Sequence, residues 1–261
     1  MDKKIDYRLR KIFLDKTSGS TELLKQINIY FLKNYDRVPD KLATISSIRK
    51  HFRSFQNIQQ YLKQLELRIH SRQLSEKFLT EFKCMSETTF DRIFVNSLPY
   101  LKNKRSILTI SNSKTVFEIL RRLGAESCKL LTVSESRPKF EGRILAKKLL
   151  KENYKVRLVT ESLAAYYLEK CDCVLIGADT VLKNKDVVNK VGSLQLAVLS
   201  KHFKKPFYVV TGKSKFGSKN VFTQQKESPD EIWKNRSDKI TIDNFYFEVV
   251  PARFITKIIT D

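Results

Sequence analysis

From residue 106 onward, the chain alternates between short apolar runs and helix-type patterns, and this alternation limits the possible folds more than any other feature. Apolar runs without a helical period occur at 106–110, 128–133, 156–159, 173–176 and 207–210. Helix-type patterns separate them at 115–123, 141–153, 163–169 and 194–201. Strands that alternate with helices predict an α/β fold, in which a parallel sheet carries helices on both faces and the crossovers are right-handed.

The first hundred residues have a different pattern and predict helices. Apolar residues recur at helical spacing, and glycine is nearly absent. The composition changes near Pro99, and the basic run 102–105 follows. We therefore predict an N-terminal helical domain over 1–104 and an α/β domain over 105–261.

The alternation ends after residue 210, where local signals predict smaller elements. The capping-box pattern at 228–231, with proline at the first helical position, predicts a short helix that carries Trp233. Two runs, 240–242 and 245–249, are strand-like. The last apolar segment, 254–259, is expected to dock on the core or on another subunit.

A formal net charge of +22 favours anionic partners. Nucleic acid, ribosomes and phosphorylated small molecules all fit this charge. The basic residues are dispersed in pairs, and no aromatic-studded RNA-binding motif is present. A basic composition shared by a lysine-rich proteome explains the same charge, so nucleic-acid contact is possible but no motif indicates it.

Other sequence features bear on location and on cofactors. No apolar run approaches the length of a membrane span, and the polar N-terminus lacks a signal-peptide core, so we expect no membrane association and a cytoplasmic location. The four cysteines form no disulfide framework. Cys171 and Cys173 have no accompanying Cys/His pair and are interpreted as small buried side chains. We expect no metal and no cofactor.

Polar residues follow the predicted strand 173–176 and indicate a ligand site. Asp179 lies just past the carboxyl end of that strand, where ligands bind in open α/β sheets. Asn189 and Lys190 precede a helix that begins near 192–193, and a helix start beside a lysine attracts anions. The alternative interpretation is a strand, a turn and a capped helix that bind nothing.

Two further stretches could contact an anion. Arg137 follows the second predicted strand, and Pro138 stiffens the loop that carries it. Ser18, Gly19 and Ser20 precede a predicted helix, although most helix starts are satisfied by their own side chains.

Several spaced motifs resemble one known family. They are E-S-R-P at 135–138, E-G at 141–142, G-A-D at 177–179, N-K-V-G at 189–192, and the ending at 247–261. They are similar to motifs of the α, β and δ regulatory subunits of translation initiation factor 2B and their archaeal homologues. Methylthioribose-1-phosphate isomerase and ribose-1,5-bisphosphate isomerase share that fold. The resemblance covers 105–261 and reaches the helical part through 18–20.

The resemblance implies a helical N-terminal domain, a Rossmann-like C-terminal domain, and dimers formed mainly through the latter. In the isomerases, a cysteine after the first strand and the aspartate of G-A-D move protons. That aspartate is Asp179 here. The positions that match residues holding substrate phosphate are Ser18, Gly19, Ser20, Arg137, Asn189 and Lys190.

The chain departs from the isomerase pattern at one position, because Ser111 stands where the cysteine is expected. A serine hydroxyl is far less acidic than a thiol and needs its own base. The stretch 109–116 resembles the regulatory β subunits instead. We therefore predict a non-catalytic regulatory homologue that forms homodimers and binds a phosphorylated small molecule and a translation-factor partner, such as initiation factor 2 or related subunits. The alternative is an aldose-to-ketose sugar-phosphate isomerase that uses Asp179 and Ser111.

Overall fold

The computed structural model describes residues 6–34, 40–237 and 239–261, with the side chains of 83–87 left outside that description. Five helices come first: α1 Tyr7–Leu14, α2 Ser20–Lys33, α3 Lys41–His51, α4 Gln56–His70 and α5 Glu76–Leu101. Their apolar faces form a core of their own, which includes Phe31, Ile48 and Leu62. Within the described residues, no helix combines the length and apolarity needed to cross a membrane.

Strands and helices alternate after α5, as the sequence predicts. The strands are β1 Ser106–Ile110, β2 Leu130–Ser134, β3 Val156–Val159, β4 Cys173–Ile176, β5 Thr180–Val181, β6 Val187–Lys190, β7 Phe207–Val210, β8 Phe247–Val250 and β9 Lys257–Ile259. The helices are α6 Lys114–Leu123, α7 Glu141–Lys151, α8 Ala164–Leu168 and α9 Ser193–His202. Six strands form one sheet in the order β3-β2-β1-β4-β7-β9, and every pairing in it is parallel. The predicted α/β fold is confirmed.

Strand β4 shows why the sheet is covered on both faces. Successive side chains of a strand point to opposite faces. Cys173 and Leu175 belong to a core with residues of α6 and α7, whereas Val174 and Ile176 belong to a second core with residues of α8 and α9. The continuous apolar run of β4 is therefore the pattern of a strand buried on both sides.

A second, antiparallel sheet of β5, β6 and β8 lies beyond the carboxyl end of β4. The sequence interpretation placed Asn189 and Lys190 in the approach to a helix. In the structure they lie on β6, opposite Glu248 and Phe247 of β8. Local pattern did not reveal this strand, whose partners are the two-residue strand β5 and the distant strand β8.

The region after 210 differs from the prediction in two places. Residues 240–242 form no strand, and Ile240 is exposed. The capping box starts only a 3₁₀ turn, Pro229–Glu231, and Trp233 lies beyond it. Glu231 cannot complete the box because its carboxylate pairs with Lys16 and Lys139.

The C-terminal segment docks within the chain. It supplies the edge strand β9, which pairs with β7 and buries Ile259.

Candidate anion-binding cavity

A cavity of about 680 Å³ lies where the α1–α2 loop and the end of α3 meet the carboxyl ends of β1 and β4. Seven of the predicted site residues line it: Ser18, Gly19, Ser20, Ser111, Asp179, Asn189 and Lys190. They come from four separate stretches of the chain. The tertiary structure therefore brings together most of the residues that the sequence indicated.

The start of α2 provides one wall of the cavity. Gly19 occupies the N-cap position without a side-chain cap, and the Ser20 hydroxyl is fully buried with no hydrogen-bond partner among the described residues. The preceding loop is held by Asp15, whose carboxylate accepts hydrogen bonds from the backbone N–H groups of Thr17 and Ser18. The positive end of a helix dipole and an unpaired hydroxyl suit a bound anion.

Ser111 lies directly after β1 in a left-handed backbone conformation, with φ of 67°. Its N–H donates to the Ser136 hydroxyl over 2.8 Å, and the Ser136 N–H donates to Glu161 over 2.6 Å. Non-glycine residues adopt this conformation only where neighbouring groups hold them there. The hydrogen bonds thus fix Ser111 at the cavity wall.

Asp179 is half-buried, and its backbone N–H donates to Val188 of β6 over 2.9 Å. Its carboxylate forms no hydrogen bond or ion pair with the residues that the structure describes. Lys215 lies in the same wall, and its ammonium donates to the Ala178 carbonyl over 2.5 Å. Burial lowers the pKa of Lys215, whereas the negative charge of Asp179 acts in the opposite direction.

Lys190 is buried in an ion pair with Glu141. The Lys190 Nζ and Glu141 Oε1 atoms are 2.7 Å apart, and the side chains are only 4% and 8% exposed. Burial raises the pKa of Glu141, and the Lys190 charge partly opposes that rise. The second oxygen, Oε2, is buried with no hydrogen-bond partner in the described part of the chain.

The helix start of α9 is already occupied by a side chain. The Glu248 carboxylate accepts a hydrogen bond from the Leu194 N–H over 2.8 Å. Asn189 donates to the Ser193 hydroxyl over 2.9 Å. The predicted anion cradle at this helix start is therefore filled by the chain itself, whereas the start of α2 has no such side chain.

The structure does not bring Arg137 to the cavity with the other predicted residues. Arg137 is exposed, its guanidinium lies over the Phe140 ring, and it donates to the Ile232 carbonyl over 3.4 Å. The loop after β2 thus directs this side chain toward the segment that carries Ile232.

Sequence reasoning missed most of the cationic lining of the cavity. Five unpredicted cationic side chains line it: Lys16, Lys50, Arg53, Lys114 and Lys215. Lys16 pairs with Glu227 and Glu231, and Lys114 pairs with Glu118. Their place in the sequence could have indicated two of these residues, because Lys114 and Lys215 each follow a strand of the parallel sheet.

His51 also lines the cavity, although no sequence motif indicated a role for it. Its Nε2 atom is 3.0 Å from the Phe13 carbonyl oxygen, and burial lowers its pKa. Its ring stacks on the Phe13 ring.

None of the cysteines that the structure describes lines the cavity. Cys128, Cys171 and Cys173 are free and buried, and Cys84 lies outside the described side chains. Burial raises the pKa of Cys128 to about 11, which is far from the range of a reactive thiol. Among the described residues, no cluster of His, Cys, Asp or Glu side chains is arranged to hold a metal ion.

The model of the initiation factor 2 subunit family matches residues 9–261. The chain belongs to this family. Ribose 1,5-bisphosphate isomerase of Archaeoglobus fulgidus is 28% identical over 171 residues, which are 62% of this chain and 54% of the relative. A putative translation initiation factor eIF-2B subunit 2-like protein of Pyrococcus furiosus is 34% identical over 158 residues, 59% of this chain and 55% of the relative.

The chain therefore spans about half the length of these curated relatives. Among solved structures, translation initiation factor eIF-2B of Pyrococcus horikoshii superimposes with a TM-score of 0.80 at 21% identity, covering 97% of this chain and 93% of that one. At this identity the match establishes the fold alone. The family includes both initiation-factor subunits and sugar-phosphate isomerases, so membership does not separate the two functions.

Proposed function

We propose that this protein is a non-catalytic, initiation factor 2B-like regulatory subunit whose cavity binds a phosphorylated small molecule. The observation that carries the proposal is the lining of the cavity. It combines an uncapped helix start, buried hydroxyls and several cations with Ser111 at the position of the isomerase cysteine. These groups suit phosphate binding, and the thiol of the two-residue isomerase mechanism is absent from the described lining.

The chemistry of Ser111 supports a non-catalytic role. A serine hydroxyl holds its proton at neutral pH unless a base removes it. Asp179 and His51 line the same cavity, but no hydrogen bond joins either side chain to Ser111 among the described residues. Asp179 then serves as a hydrogen-bond acceptor for the ligand.

The proposal includes partners. We infer a cytoplasmic homodimer formed through the α/β domain, and a contact with initiation factor 2 or related subunits. The initiation-factor names among the relatives support this inference. We place the dimer contact near β9, the edge strand of the six-stranded sheet. Light scattering that reports a monomer at micromolar concentration contradicts the dimer.

The alternative function is an aldose-to-ketose isomerase acting on ribose-1,5-bisphosphate or methylthioribose-1-phosphate. It is favoured by Asp179, whose carboxylate has no partner among the described residues, and by the isomerase among the relatives. In that case Asp179 shuttles the proton, with Ser111 as its hydroxyl partner.

Substrate turnover separates the two functions. We expect both sugar phosphates to remain unconverted by the wild-type protein when followed by NMR, and Ser111→Cys to introduce weak conversion by supplying the thiol. Robust turnover by the wild type, abolished in Asp179→Asn with the fold intact, establishes the isomerase instead.

Ligand binding is tested separately by thermal denaturation with AMP, GMP and ribose 5-phosphate. We expect at least one of them to stabilise the wild type and the Arg137→Ala control, but Arg53→Ala to a smaller extent, because Arg53 lines the cavity and Arg137 does not. If none of the three stabilises the wild type, the ligand proposal is wrong.

A further inference from the structure

The ion pair between Glu141 and Lys190 occupies a part of the cavity wall that does not suit a phosphate. A phosphate-binding lysine has its charge available to the ligand. The Lys190 charge is instead neutralised by Glu141 at 2.7 Å, and a phosphate placed there is repelled by the same carboxylate.

Other groups in the lining suit phosphate better. Lys50 and Arg53 are exposed cations, and Lys50 forms no ion pair with any residue that the structure describes. The uncapped start of α2 adds backbone N–H groups and the buried, unpaired Ser20 hydroxyl. The cavity therefore has a cationic part formed by the start of α2 and the end of α3, and a charge-balanced part where Lys190 and Lys215 lie near Glu141 and Asp179.

The charge-balanced part has unsatisfied acceptors. Glu141 Oε2 is buried without a partner among the described residues, and a buried acceptor in that state is costly. The Asp179 carboxylate likewise has no protein donor in the described part of the chain. A ligand group that both donates and accepts suits this arrangement best, because Lys190 has further N–H groups beside the acceptor.

We propose that Glu141 and Lys190 recognise a hydroxyl of the bound phosphate ester, rather than its phosphate. The hydroxyl donates to the carboxylate of Glu141, which lines the cavity, and accepts from Lys190 Nζ, which is held 4.7 Å from the centre of the Tyr246 ring. This inference rests on the proposed function, since it requires a phosphorylated ligand in the cavity.

Three probes test it by titration calorimetry: inorganic phosphate, ribose 5-phosphate, and tetrahydrofurfuryl phosphate, which has a similar ring and phosphate but no hydroxyl. We expect the wild type to bind ribose 5-phosphate about tenfold or more tightly than tetrahydrofurfuryl phosphate, the difference typical of a hydrogen bond to a charged group.

The matched variants are Glu141→Gln and the double variant Glu141→Leu with Lys190→Met. The double variant removes both charges while keeping similar volume, so it avoids leaving one charge buried alone. We expect its preference for ribose 5-phosphate to fall to within about threefold, with the affinity for tetrahydrofurfuryl phosphate unchanged within the same margin. Circular dichroism checks that the fold is retained.

The outcomes distinguish the two proposals. If the wild type binds ribose 5-phosphate and tetrahydrofurfuryl phosphate equally, hydroxyl recognition is wrong. This comparison uses the wild-type protein alone and does not depend on the folding of any variant. If the double variant is folded and loses affinity for all three probes alike, Lys190 is a phosphate ligand and the inference is overturned. If the wild type binds none of the probes, the proposed function fails, and the hydroxyl assignment fails with it.

Discussion

The pairing of Glu141 with Lys190 makes a quantitative prediction about stability. Lys190 is 3% exposed, and the partner carboxylate lies 2.7 Å from its ammonium. Glu141→Gln removes the negative charge but keeps the shape of the side chain. Breaking a buried pair in this way typically costs about 3–5 kcal/mol, because one charge remains buried without compensation.

We therefore expect Glu141→Gln to lose about 3–5 kcal/mol of unfolding free energy at pH 7, because the Lys190 charge stays buried after its partner is neutralised. Removing both charges together should avoid this loss.

Urea denaturation followed by circular dichroism at pH 7 measures this loss, with Glu141→Leu/Lys190→Met as the control. The double variant should be less stable than the wild type by no more than about 1 kcal/mol, since neither charge is left alone. A Glu141→Gln variant that loses under about 1 kcal/mol refutes the buried pair.

Two further predictions concern the α/β domain. Gly142→Ala should lower the unfolding free energy by about 3 kcal/mol or more, because its new Cβ would lie 1.8 Å from the Ser134 carbonyl oxygen. The control Gly217→Ala should change the unfolding free energy little in the same urea assay, because its Cβ meets nothing closer than 3.7 Å. Burial alone would raise the pKa of Glu118, but hydrogen bonds from Lys114 and two arginines lower it from 4.5 to about 2. Glu118 therefore stabilises the fold above about pH 4.5. Between pH 4.5 and 2, we expect the unfolding free energy of the wild type to fall by about 1–2 kcal/mol more than that of Glu118→Gln. If urea titrations show the same dependence on pH for both proteins, the prediction is wrong.

Most of the fold was predictable because its signals are local. The apolar run 173–176 is buried on both faces, so it had to be a strand between two helical layers, and the structure confirms this. The strand 207–210 has the predicted bounds for the same reason, and the partly exposed edge strand 156–159 has its predicted bounds as well. By contrast, 240–242 has the composition of a strand but no neighbouring strand to pair with.

The site was predictable in part. Asp179 and Ser111 line the cavity because both follow strands of one parallel sheet, and the carboxyl ends of such strands share an edge. Lys16, Lys50 and Arg53 were missed because they lie in the helical part, where no strand pattern marks them. The pattern around Arg137 could not reveal which way its loop directs the side chain.

The sequence by itself determined the alternating strands and helices of the parallel sheet, its coverage on both faces and the family, because apolar spacing and short motifs are properties of neighbouring residues. Only the tertiary structure decided which charges meet. Lys190 reads as an anion ligand in the chain, yet its partner is Glu141, 49 positions away. The sequence predicts free N–H groups at the start of α9, yet Glu248, 54 positions away, accepts a hydrogen bond there. An ion pair depends on distance in space, and that distance is fixed only when the two sheets and the helices pack together.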